Sequence, residues 1–491
     1  MMKTIFIALL GTLWVITNGF GQSNLANVKS KKFKTSEGLK IEGQVGYLEV
    51  PENRSKPSSR MIRLKYIHLK SLSEKPFIPV VYLEGGGGVS TWEAESPKDL
   101  QDRIEILEVA DLIFLDRRGS SDEALTYIWQ EDFPKGFFIS EETANKHYQK
   151  MAKAALEKFR QNKIDVSGYN IEEHAKDVND LMTALGFDTY SIFGFSFGSQ
   201  IGMTVLGLYP DRVDKAILVG ADAPDQAFNF PRHLDAHVKK ISYLIEQEGT
   251  LDMSGVEFEK LVQDTMQKLK TNPATVTVKN PVTRKEVELK IGDFGLGLIL
   301  RLDIDDYHDI PVIPRLLHSI NSGDYSLLTW FVQKRIAMAI GLPGQGINQQ
   351  LASGVSQDRW SVIEKEAQES IFGNVVNFPF SSLKDQWPTT NLSFDPSIPI
   401  RTEIPTLFIT GKLDCRTPIE QVELTMQGFE SAIHVQVENA GHEQAQWDAD
   451  VANQIIPSFI KGEPIQTTDA YYSDIEFIRL NGQVSGHPSI K

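Results

Sequence analysis

The stretch Gly194-Phe195-Ser196-Phe197-Gly198 constrains this chain more than any other. An apolar run, Tyr190-Ser191-Ile192-Phe193, precedes it, and a helix-like segment from Gln200 through Ile201, Thr204 and Leu208 follows it. Strand, G-x-S-x-G, helix is the setting of a nucleophile elbow, a turn so sharp that the residues flanking the serine must be small. Such a turn holds the hydroxyl clear of the backbone, with the positive end of the next helix facing it. A serine hydroxyl is still a poor nucleophile on its own. It needs a base to take its proton and a carboxylate to hold that base.

The surroundings of the elbow read as a parallel sheet. Val80-Val81-Tyr82-Leu83 and Leu112-Ile113-Phe114-Leu115 are continuous apolar runs, the pattern of strands buried on both faces. A helix with a capping-box spacing, Asn170 to Glu173, carries the stripe Ile171, Ala175, Val178, Met182 and Leu185 and stops at Gly186. Apolar strands recur at Ala216–Val219, Pro405–Ile409 and Ile433–Val437, and an alternating strand is expected from Met61 to Lys70. Strand–helix alternation predicts an α/β fold with a mostly parallel, doubly wound sheet. Between Pro224 and Arg401 the pattern turns mainly helical, with a small hairpin pairing Val276 and Val278 with Val287 and Leu289 and a Gly-rich break at residues 341–346. This insertion reads as a lid. The expected layout is a core over residues 40–224 and 401–465, a lid over 225–400 and a C-terminal tail over 466–491.

The ends of the chain and its charge narrow the setting. Met1-Met2-Lys3, an apolar run from Thr4 to Ile16 and a small-residue site at Gly21 predict a signal peptide over residues 1–21 and export to the periplasm or medium, with no membrane insertion after cleavage. A single cysteine, Cys415, rules out an internal disulfide. The formal net charge of −15 disfavours nucleic acid as a partner.

Only His442 among ten histidines follows directly after a strand and a small loop, Glu438-Asn439-Ala440-Gly441, late in the chain. Asp414, after the strand ending at Ile409, and Asp222, after the strand ending at Val219, compete for the carboxylate role. Asp414 is preferred because its strand immediately precedes the one leading to His442. The developing oxyanion would meet the N–H of Phe197 and one from the glycine run Gly85–Gly88. That run fails as a nucleotide loop, since Ser90 stands where a last glycine belongs and no G-K follows. No H-E-x-x-H or cysteine pair occurs, so neither a metal nor another cofactor is expected.

Taken in order, these motifs resemble the proline-iminopeptidase and tripeptidyl-aminopeptidase branch of the alpha/beta-hydrolases. Glu84-Gly85-Gly86-Gly87-Gly88 stands in the place of its H-G-G-P-G loop, without the proline. Asp116-Arg117-Arg118-Gly119-Ser120-Ser121 matches D-x-R-G-x-G except at the last glycine. Gly411 to Pro418 matches G-x-x-D-x-x-T-P in full, and Gly441-His442 matches the G-H dipeptide. The resemblance implies an alpha/beta-hydrolase with a helical cap, a triad of Ser196, Asp414 and His442, and oxyanion donors at Gly86 and Phe197. It also implies a serine aminopeptidase, which needs a carboxylate for the substrate ammonium. Asp303, Asp305, Asp306, Asp358 and Glu364 in the lid are available for this, and Glu84 either holds its own loop or faces the amine. Asp116 and Arg118 are expected to form a structural pair. The expected substrate is a peptide; small esters handled by the same triad are the alternative, and an inactive binding protein with this fold is a third reading.

Overall fold

The computed structural model describes residues 24–480 apart from Gly87, Ser121, Ser254 and Thr390, so the expected leader lies outside the described residues. The strands are β1 (Leu25–Lys34), β2 (Lys40–Pro51), β3 (Met61–Leu69), β4 (Phe77–Leu83), β5 (Ala110–Leu115), β6 (Thr126–Ile128), β7 (Tyr190–Phe195), β8 (Val213–Val219), β9 (Ala274–Lys279), β10 (Glu286–Ile291), β11 (Gly341–Pro343), β12 (Thr406–Gly411), β13 (Ala432–Glu438) and β14 (Asp469–Tyr471). Ten of them form one sheet in the order β1-β2-β3-β5-β4-β7-β8-β12-β13-β14. The β1, β2 and β3 edge is antiparallel, and every pairing from β5 through β14 is parallel. The apolar runs are central strands: every residue of β5 and of β7 is buried. Their side chains alternate between two layers. Tyr82, Phe114 and Phe193 pack on one face, and Val81, Ile113 and Ile192 on the other.

Burial on both faces explains why these strands lack polar residues and why their polar loops gather at the C-terminal ends. The strand order reverses around β4, so the loops after β4, β7, β8, β12 and β13 open toward one crevice, where open α/β sheets place their ligands. The crossover helix Ile171–Ala184 begins as its capping residues predict: the Asn170 side chain accepts from the Glu173 N–H at 2.9 Å.

A third apolar cluster makes up the lid, and it draws mainly on two stretches of chain. The helices Pro231–Glu248, Phe258–Thr271, Asp293–Asp303, Ile313–Ser322 and Ser326–Arg335 supply most of it, with β9 and β10 paired in the expected Val278–Val287 and Val276–Leu289 register. The second stretch lies inside residues 40–224, which the sequence pattern assigns wholly to the core. Leu125, Phe137, Phe138 and the buried face of the helix Glu141–Gln161 (Tyr148, Met151, Ala155, Phe159) pack in the lid cluster. The physical reason is an aromatic knot: the Phe137 ring meets Phe138, Phe294 and Phe378 at centroid distances of 4.9, 6.5 and 5.8 Å.

Three further features differ from expectation. The Gly-rich break at 341–346 is ordered structure, because β11 pairs antiparallel with β6 and the helix Gly344–Ser353 starts directly after it. The expected tail contributes β14, which extends the sheet beside β13, after which Ile475 and Phe477 reach into the lid cluster. β1 also lies before residue 40, paired along β2 with its side chains largely exposed.

Candidate active site

The elbow is built from close approaches that only glycine allows. A Cβ on Gly198 would sit 2.0 Å from the Leu83 carbonyl oxygen, and one on Gly194 would sit 2.6 Å from the Gly198 carbonyl. Between them Ser196 is held at φ 51°, ψ −123°, a left-handed conformation that costs a non-glycine residue about 1–3 kcal/mol. The Ser196 N–H donates to the Val219 carbonyl at 2.9 Å, which ties the turn to β8. Strain tolerated at this point lifts the hydroxyl out of the backbone.

The loops after β12 and β13 bring two side chains to that hydroxyl. His442 Nε2 lies 2.8 Å from Ser196 Oγ, and His442 Nδ1 lies 2.7 Å from Asp414 Oδ2. An ionised carboxylate can only accept, so Nδ1 carries the proton and Nε2 is left to receive the serine's. Asp414 is 1% exposed and its charge is met locally: Oδ1 accepts from the backbone N–H groups of Arg416 and Thr417 at 2.8 Å each, and Oδ2 accepts from the Thr417 hydroxyl at 2.5 Å. Burial alone would raise its carboxyl, but His442 and these donors hold it well below the usual carboxylate range. Burial likewise pushes the imidazole down, and the Asp414 charge and hydrogen bond outweigh it, so His442 sits above the ordinary 6.5.

The nearby backbone can stabilise an oxyanion. Phe197 opens the helix Phe197–Leu208, so its N–H is one of the first-turn donors without an intrahelical acceptor. Gly86 is exposed on the loop after β4 and borders the same cavity, and a Cβ on its neighbour Gly85 would stand 3.0 Å from Ser196 Cβ. A cavity of about 440 Å³ lies above Ser196, walled by Gly86, Arg117 and Thr417 from the core and by Arg301, Met338 and Pro379 from the lid.

The family models divide along this architecture. Residues 78–240 match the alpha/beta hydrolase fold, and residues 375–471 match the TAP-like protein family, covering the loops that carry Asp414 and His442. The chain has the alpha/beta-hydrolase fold, and its C-terminal part is similar to the TAP-like proteins. Curated relatives include the serine protease Hip1 of Mycobacterium tuberculosis and of Mycobacterium bovis, each 27% identical over 196 residues. That alignment covers 37% of this chain and 36% of each relative's own length. Among solved structures, Rv0554 from Mycobacterium tuberculosis overlays at a TM-score of 0.41 with 14% identity, covering 85% of this chain and 100% of that one. The esterase EaEST from Exiguobacterium antarcticum overlays at 0.35 with 15% identity, covering 88% and 100%. These overlays are loose, and the fold assignment rests on the strand order and the family models.

In this hydrolase the expected amine-binding carboxylates stand away from the cavity. Asp358 and Glu364 are exposed on the outer part of the helix Gln357–Glu369, where the first turn favours an acid but faces solvent. Asp303 is buried against Lys334 and Arg335, Asp305 pairs with Arg416 at 3.0 Å, and Asp306 accepts from the His308 N–H at 2.8 Å. Glu84 turns back on its own loop: Oε1 accepts from the Gly85 N–H at 2.7 Å and Oε2 from the Tyr82 hydroxyl at 3.1 Å. Burial beside Glu93 pushes its carboxyl up to about 7. Neither Glu84 nor Asp358 borders the cavity, so the substrate-binding role expected of them is not supported by their placement.

Asp116 and Arg118 have separate partners. Asp116 accepts from the Thr91 N–H at 2.8 Å, whereas Arg118 is fully buried in a two-pronged bond to Asp177, 2.7 Å on each side. Sequence reasoning weighed Asp222 only as a partner for the histidine and did not place the charged groups that line the cavity. These are Asp222, held by Gln200 at 2.7 Å and Gln421 at 3.0 Å, and the guanidinium groups of Arg117, Arg301 and Arg416. Burial pushes the Asp222 carboxyl up to about 7. Arg117 and Arg416 lie inside motifs and Asp222 follows a strand end, but nothing in the sequence marks Arg301. Among the described residues no group of three or more His, Cys, Asp or Glu side chains could hold a metal ion, and no helix is long and apolar enough to cross a membrane.

Proposed function

We propose that this hydrolase is a serine peptidase that cleaves short peptides through an acyl-enzyme on Ser196. The observation that carries the reading is the continuous chain Ser196 Oγ, His442, Asp414, at 2.8 and 2.7 Å, beneath a cavity between core and lid. His442 takes the Ser196 proton as Oγ attacks the carbonyl, and the Gly86 and Phe197 N–H groups receive the oxyanion. His442 then returns the proton to the leaving amine, and water repeats the sequence to free the acyl group. Asp414 keeps the imidazole in the tautomer that makes both transfers possible, and the Thr417 hydroxyl holds Asp414 in place.

Peptide cleavage rather than ester cleavage is supported by the TAP-like match and by the similarity to the serine protease Hip1. Release of residues from the amino end fits the same match. Asp222 is the cavity carboxylate that would face an ammonium group, and an arriving cation would draw its carboxyl back to the ionised form. The apolar leader at residues 4–16 supports export as part of this reading. Aminoacyl and peptidyl p-nitroanilides assayed beside p-nitrophenyl esters test it: hydrolysis of the anilides by the wild type and not by Ser196→Ala is expected. Cleavage of esters alone would replace it with an esterase.

A further inference from the structure

The wall above Ser196 is rich in guanidinium groups, and one of them is buried with too few partners. Arg117 is 3% exposed. One of its N–H groups goes to the Gly86 carbonyl and its plane lies 4.8 Å from the Phe197 ring centroid, yet Nε and Nη1 have no hydrogen-bond partner among the described residues. Arg301 reaches the same cavity from the lid and donates to the Phe378 carbonyl at 2.5 Å. Neither arginine forms a salt bridge among the described residues. Arg416, the third, is paired with Asp305 at 3.0 Å but leaves its own Nε without a partner. Burial presses both Arg117 and Arg301 down to about 10, and for Arg301 the neighbouring Arg416 charge adds to this. The single cavity carboxylate, Asp222, is occupied by two glutamine amides.

A guanidinium taken out of water without a counter-charge is costly, and an arriving anion removes that cost. Arginine's planar fork suits a carboxylate, which can accept two parallel N–H bonds. We infer that the substrate carries a carboxylate close to the scissile bond, received by Arg117 and Arg301 with Arg416 behind them. This rests on Ser196 being the nucleophile. The carboxylate is either an acidic side chain on the acyl side or the free C-terminus of a short leaving peptide.

Two matched pairs separate these sources: a glutamyl against a glutaminyl p-nitroanilide, and a tripeptide acid against its C-terminal amide. In at least one pair the acid form should have the higher kcat/KM by about tenfold or more, the low end for hydrogen bonds to a charged group. In Arg117→Gln and in Arg301→Gln that ratio should fall toward one. The wild-type pairs need no variant to fold. Equal rates within both pairs, on enzyme whose Ser196 still labels with a fluorophosphonate, overturn the anion site alone. Enzyme that does not label overturns the nucleophile assignment and the anion site with it.

Discussion

The two halves of the cavity are built on different principles. The core half is a set of loops hung from parallel strands, and each residue of the proposed triad sits where backbone geometry demands it: Ser196 on a strained turn, Asp414 and His442 one strand-end apart. The lid half is an apolar cluster assembled mainly from two distant stretches of chain, and it presents a few polar side chains such as Arg301 and Gln349 to the cavity. The contrast separates chemistry from selection. A fold can keep the reaction constant while its lid decides what reaches the serine.

Substitutions sharpen this contrast, and the largest effects should fall in the core half. Ser196→Ala should lower kcat on the order of 10⁶-fold, as for other serine triads, with His442→Ala adding little to it in the double variant. Asp414→Asn should cost about 10⁴-fold in kcat by releasing the imidazole into the wrong tautomer, measurable on any substrate the wild type turns over.

A lid substitution should behave differently. Phe137 is fully buried in the aromatic knot, and Phe137→Ala should cost about 3–5 kcal/mol of stability in denaturant unfolding. Fluorophosphonate labelling of Ser196 should persist in the fraction that stays folded. Loss of labelling in that fraction would break the separation of the two halves.

Smaller effects probe the support of the triad. Thr417→Val removes the hydroxyl from Asp414 Oδ2 and should lower kcat/KM by about tenfold to a hundredfold, the range for a hydrogen bond to a charged group. The mildest is a matter of pH. Catalysis needs neutral His442, whose pKa is raised, so kcat/KM should fall as pH drops through a point above 6.5. With less negative charge beside the ring, that limb should move to lower pH in Asp414→Asn. An unmoved limb would assign the titration to another group.

The same contrast explains what was legible in the sequence. Elbow glycines, the G-x-x-D-x-x-T-P loop and a late Gly-His follow from backbone constraints that leave local patterns, so the strands of the core and the three residues brought together at Ser196 could be read in order. The lid leaves no such pattern. A helix between two sheet strands reads as a crossover whether it packs on the sheet or, as Glu141–Gln161 does, in the lid. Acidic residues in the lid were candidates by charge alone, and their neighbours settle their roles: Asp303 and Asp305 are neutralised by Lys334, Arg335 and Arg416, while Asp358 faces solvent. Arg301 shows the reverse, an unremarkable position in an apolar helix that tertiary packing brings to the wall of the cavity above Ser196.

Acyl transfer through Ser196 requires a covalent acyl intermediate on its hydroxyl. Mixing the enzyme with a slowly deacylating activated ester, quenching in acid and mapping the digest by mass spectrometry tests it directly. The peptide containing Ser196 should gain the mass of the acyl group, and the Ser196→Ala protein should gain none. An acyl mass on another residue, or turnover by Ser196→Ala, would exclude Ser196 as the nucleophile.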